Sequence, residues 1–154
     1  MDFKKIFEVV CRWYVFVFLN VYGLGKLAGG QFYRRGKLPP DVAEMTLGQA
    51  GHFELAWTFM GYSFAYILFI GISQLIGAWF LLWEKTKLLG VAILFPILVN
   101  IIVFDIIFLD MYGALASASI YFGMLLYILF YNREKIIQAL QSITTVTLSD
   151  KTER

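Results

Sequence analysis

The side chains able to do chemistry in this chain of 154 residues sit inside long apolar runs. The stretch FPILVNIIVFDIIFLD (95–110) sets Asn100, Asp105 and Asp110 among aliphatic and aromatic residues, and earlier runs hold Asn20, Tyr22, Lys26 and Gln74. A carboxylate in such surroundings can carry a proton or hold a cation. A lysine can neutralise it, and amides and phenols can hydrogen-bond a neighbouring helix or a ligand. An unpaired carboxylate in hydrocarbon costs several kcal/mol or takes up a proton, so Asp105 calls for a partner. Lys26 is the one basic residue expected within reach, directly or through water. Tyr22, one turn earlier, could donate to the same carboxylate.

Depth along the helices separates these groups. At 1.5 Å per residue, Asn100 and Gln74 fall near the middle of their spans, and Asn20 about 5 Å to the outer side. These three amides are expected to form a central polar layer, either as helix-to-helix hydrogen bonds or as contacts to a substrate or quinone. Asp105 lies about 10 Å and Lys26 about 14 Å outside the midplane, forming an outer charged layer. Asp110 belongs to the interface, as a solvated turn carboxylate. Asn100, Asp105 and Asp110 step by five residues, about 140° on a regular helix, and therefore fan around it rather than lining one proton path. Pro96 removes one backbone bond and could redirect that fan.

The elements that must hold these residues follow from composition. The chain is 60% hydrophobic and 16% charged, too apolar for a water-soluble domain of this size. About 20 helical residues cross a bilayer core. Four runs meet that length, at about 6–27, 62–83, 88–109 and 112–131. The expectation is an all-α integral membrane four-helix bundle with an extended outer loop, 28–61, and a C-terminal tail, 132–154. The first run contains Arg12, Asn20 and Lys26 and reads as an uncleaved helix rather than a signal peptide. Lys and Arg are distributed nine to four between the two sides. Lys4, Lys5, Arg12, Lys85, Lys87, Arg133, Lys135, Lys151 and Arg154 face Lys26, Arg34, Arg35 and Lys37, which predicts both termini in the cytoplasm.

Several chemistries find no residues here. The single Cys11 rules out an internal disulfide framework and reads as a small hydrophobe. His52 is the one histidine, so a His-cluster metal site or bis-His haem is excluded. Together with Glu54 in the outer loop, it is either a surface residue or a proton-handling group. No phosphate loop, catalytic triad or working carboxylate pair occurs, and a formal charge of +2 does not suggest nucleic acid. Trp57, Trp79, Trp83, Tyr62 and Tyr131 fall near span ends, as interfacial belts do. Gly71, Gly77 and Ala78 permit close helix approach.

Over residues 8–132, the segments YGLGKLAGGQF (22–32), WTFMGYSFAYILFIG (57–71), LLWEKTKLLG (81–90) and the span with Asn100 and Asp105 resemble the DoxX-like membrane proteins, in the style of their bacteroidete branch. The resemblance implies a small four-helix fold in the bacterial inner membrane. It also implies, for some relatives, association with thiosulfate:quinone oxidoreductase or redox-stress complexes. The chain departs from that pattern in places. The family's glutamate in span two is Gln74, its second asparagine in span three is Asp105, and a lysine and a histidine after the turn are replaced by Ala114 and Ser119, with Ser117 retained. The resemblance thus leaves three functions open. One is a redox-linked accessory subunit contacting a membrane quinone. Another is a non-catalytic scaffold, docking protein partners through loop 28–61 or tail 132–154, with a homo-oligomer as a further possibility. The third is a lipid- or solute-binding protein with a pocket between its helices.

Overall fold

The computed structural model describes residues 2–29, 31–108 and 112–152, with side chains described through residue 142. Among these the chain is all-helical, in seven helices: α1 Phe3–Ala28, α2 Pro40–Ala43, α3 His52–Gly61, α4 Phe64–Phe80, α5 Lys87–Phe108, α6 Tyr112–Tyr131 and α7 Arg133–Thr152. Three of them (α1, α5 and α6) are long and apolar enough to cross a membrane, and α3 with α4 could supply a fourth crossing as one broken span. Asp110 lies outside the described residues.

The ends of α1 follow from its sequence. Asp2 caps it, accepting from the Lys4 N–H at 3.3 Å. Gly29 closes it in the left-handed region at φ 81°, where its N–H returns to the Lys26 carbonyl. Apolar residues at three- and four-residue spacing then build the core. Cys11, Val15 and Leu19 on α1 meet Leu94 and Leu98 on α5 and Leu125 and Ile128 on α6. α1 packs on α4 and α6, and α5 on the same two helices. On α5, Val99, Val103, Ile106 and Ile107 point away from this core, an apolar surface suited to acyl chains.

The region around residue 62 differs from the expectation of one helix over 62–83. Ser63 adopts an extended conformation (φ −111°, ψ 115°), and its hydroxyl accepts from the Tyr66 N–H to start α4 afresh. The preceding α3 leaves at 87° to α4. Alone, α4 has 17 residues, about 26 Å, short of a bilayer core. The segment expected as loop therefore holds ordered helix. A Cβ at Gly61 would collide with the backbone of Tyr33, so glycine lets the 28–51 connection fold back against the bend. The segment expected as a tail is likewise helical, as α7.

Candidate functional site

Where α1 crosses α4, Gly23 and Gly71 face each other; a Cβ on either would stand 3.4 Å from the other's carbonyl oxygen. This close approach lets side chains reach across. Helical side chains lean toward their own N-terminus. On two antiparallel helices, a residue near the C-terminal end of one leans back along it while its neighbour on the other leans the opposite way. Lys26 and Gln74 meet in this way: Lys26 Nζ donates to Gln74 Oε1 at 2.9 Å. The Gln74 amide nitrogen donates in turn to the Leu19 carbonyl at 3.1 Å. Both side chains are buried, at 5% and 1% exposure.

The expected direct pair of Lys26 with Asp105 is thus replaced. Depth counted along the helix axes put Gln74 too far from Lys26, because it ignored the opposed lean of the two side chains. No ion pair within 4.0 Å joins Lys26 to Asp105 among the described residues. Asp105 is 5% exposed, and its Oδ2 has no hydrogen-bond partner among those residues. The central amide layer also comes apart. Asn20 turns back onto its own helix, donating to the Phe16 carbonyl at 2.7 Å, and Gln74 serves Lys26.

Five of the sequence candidates do converge, on a cavity of about 480 Å³ between α1, α4, α5 and α6. Tyr22, Lys26, Gln74, Asn100 and Asp105 all line it. Its size lies within the usual range for small-molecule sites, and its apolar walls with a few polar groups match their usual make-up. Leu19, Phe69, Ile97 and Phe104 supply much of the apolar wall. Pro96 lines it from within a helix that runs unbroken through the proline. At the end near the α3–α4 bend, α3 brings Trp57, stacked on Phe53 at 4.3 Å and edge-on to Phe32 at 5.4 Å. Trp57, expected from the sequence as an interfacial residue, therefore lines the cavity. Asn20, His52 and Glu54 are not among the lining residues. His52 opens α3 as an exposed residue, with Glu54 in the same first turn.

Sequence reasoning did not propose Ser73, Ser117 or Tyr121 as lining residues. Tyr121 is 5% exposed, with its ring 6.3 Å from that of Tyr22. A tyrosine and two serines inside apolar runs were the available signal, masked because such residues also serve packing and backbone bonding. Ser117 does bond locally, donating to the Gly113 carbonyl at 2.9 Å.

A second polar cluster lies at the opposite end, and sequence reasoning missed it as a unit. Lys87 Nζ reaches Glu8 at 2.9 Å and Glu84 at 2.8 Å. Arg12 reaches Glu84 at 2.9 Å and stands 3.3 Å from Glu8, there as an ion pair without hydrogen-bond alignment. Arg12 also donates to the Leu81 and Leu82 carbonyls, which the end of α4 leaves without helical partners. The Lys87 hydrogen bond, with the charges of Lys87 and Arg12, holds the Glu84 carboxyl below the usual carboxylate range despite some desolvation. Two acids and two bases balance here, and their completeness marks a structural clamp. The visible hints were Glu8 with Arg12 at i,i+4 and Glu84 with Lys87 at i,i+3.

Comparison with known proteins gives one informative relative. No family model matches the chain, and no solved structure matches it. Over 117 residues the chain is 39% identical to the uncharacterized protein YwoB of Bacillus subtilis (strain 168), an alignment covering 76% of this chain and 71% of that protein. At that identity and coverage, the chain belongs to the same family as YwoB.

Proposed function

We propose that this is a four-span protein of the bacterial cytoplasmic membrane, with both termini in the cytoplasm, that binds a small amphiphilic molecule from the bilayer between its helices. The observation that carries this reading is the cavity of about 480 Å³. Its walls are apolar, and Lys26, Gln74 and Asp105 bring buried polar groups to it. Such a site suits a molecule with an apolar body and a polar head. The nine-to-four bias of Lys and Arg supports the orientation. Lipidomic comparison of the purified protein's organic extract with the bulk membrane tests the function. One molecular class should be enriched, and enrichment should fall in Ala114→Trp, which puts an indole into the cavity. An extract identical to the bulk membrane in both proteins removes the reading.

A second reading is that the amphiphile is a quinone and the protein a redox-linked accessory subunit. The resemblance to DoxX-like proteins supports it, as does a Lys26 ammonium able to donate to a quinone carbonyl inside an apolar wall. Quinone in the extract, together with quinone-dependent thiosulfate oxidation by a purified complex, is the expected result. Neither being found would leave the first reading alone.

A further inference from the structure

We infer that the head of the bound molecule is neutral and carries a hydroxyl that donates to Asp105, so that the ligand class is a hydroxyl-headed neutral amphiphile. This deepens the proposed function and rests on it. Asp105 is 5% exposed, lines the cavity, and keeps one carboxyl oxygen without a hydrogen-bond partner among the described residues. Buried polar atoms in native proteins are nearly always satisfied, and leaving one orphaned is costly. Asp105 lines the cavity, so a ligand group that reaches this oxygen satisfies it, and against the carboxylate that group must be a donor.

The charge of that head follows from Lys26. Among the described residues, one acid and one base, Asp105 and Lys26, line the same cavity, and the remaining polar residues lining it carry no formal charge. With the exchangeable proton on the Lys26 amine, the two together are neutral and Asp105 is purely an acceptor. A charged head would leave one net charge between apolar walls, where unbalanced charge is unfavourable. A carboxylate or phosphate head is disfavoured on this ground, and so is an ammonium head. Lys26 spends one N–H on Gln74 and keeps two, so it can also donate to the oxygen of the same hydroxyl. A hydroxyl therefore answers both groups, as donor to Asp105 and acceptor from Lys26. A methyl ether of the same length answers one of them.

The test is competition between 1-dodecanol and its methyl ether for the full-length protein in lipid nanodiscs, with bound masses read together by native mass spectrometry. The alcohol should be favoured by about tenfold or more, the usual scale of one hydrogen bond to a buried charged group. Asp105→Leu should bind both and bring the ratio close to one. Equal binding of the two by the wild-type protein overturns the hydroxyl assignment while leaving the cavity a binding site. Binding of neither overturns the cavity reading as well. Should Asp105→Leu fail to fold, the wild-type ratio alone decides.

Discussion

The ionic clamp of Glu8, Arg12, Glu84 and Lys87 gives the sharpest energetic prediction. Lys87→Met removes two short ion pairs, but their loss is unequal. The Glu84 side chain is 54% exposed, so water takes over and the loss there is under about 1 kcal/mol. The Glu8 side chain is 1% exposed and keeps only the poorly aligned Arg12 contact. Breaking a buried pair on one side costs about 3–5 kcal/mol, and the surviving Arg12 contact places Lys87→Met at the low end, about 3 kcal/mol. Glu8→Leu leaves Lys87 with the shared Glu84, and should cost about 2 kcal/mol. In the double variant Arg12 and Glu84 still balance, and two buried charges are gone. Exchanging a buried pair for apolar side chains is often neutral, so the double variant should fall within about 1 kcal/mol of wild type. SDS titration in mixed micelles at pH 7, followed by tryptophan fluorescence, measures all four proteins. Single losses that simply add in the double variant would refute the coupling.

Other consequences are separately measurable. Gly90→Ala would put a Cβ 2.7 Å from the Gly77 carbonyl oxygen and 2.9 Å from the Leu81 nitrogen, both backbone atoms, so α4 and α5 must part. A loss of about 2–3 kcal/mol is expected in the same titration. Gly123→Ala meets nothing within 4 Å in the interior of α6 and should instead gain about 0.5–1 kcal/mol. Gln74→Leu strands the buried Lys26 ammonium, while the Leu19 carbonyl keeps its place in the α1 ladder, for a loss of about 1–3 kcal/mol; Gln74→Glu, able to accept from Lys26, should be milder. The depressed Glu84 carboxyl adds stability that is fully present above its unfolded value of about 4.3 and is lost as pH falls through its lower folded value. The wild-type melting temperature should fall more steeply below about pH 4.3 than that of Glu84→Gln.

Individual segments show what the sequence carries and what it lacks. α5 and α6 are plain in the sequence because their apolar runs are long enough to need no tertiary information. The break between α3 and α4 was less plain, although Ser63 three residues ahead of Tyr66 is a recognisable helix start, because an apolar run continues across it. The polar candidates were legible as residues out of place in hydrocarbon, and five of them share one cavity. Their partners were not legible. Lys26 and Gln74 are 48 positions apart, and their contact depends on the Gly23–Gly71 crossing and on the lean of both side chains. Glu8 and Lys87 are 79 positions apart. Neither period nor depth along one helix can reveal which turn of another helix stands opposite.

The central claim is that the cavity beside Lys26, Gln74 and Asp105 holds a molecule taken from the bilayer. Native mass spectrometry of the gently purified protein tests it most directly. One tightly held adduct of a single, discrete mass per chain is expected, absent from Ala114→Trp at equal folding. A wild-type protein that appears only at its bare chain mass, under conditions that preserve lipid adducts on other membrane proteins, would contradict it.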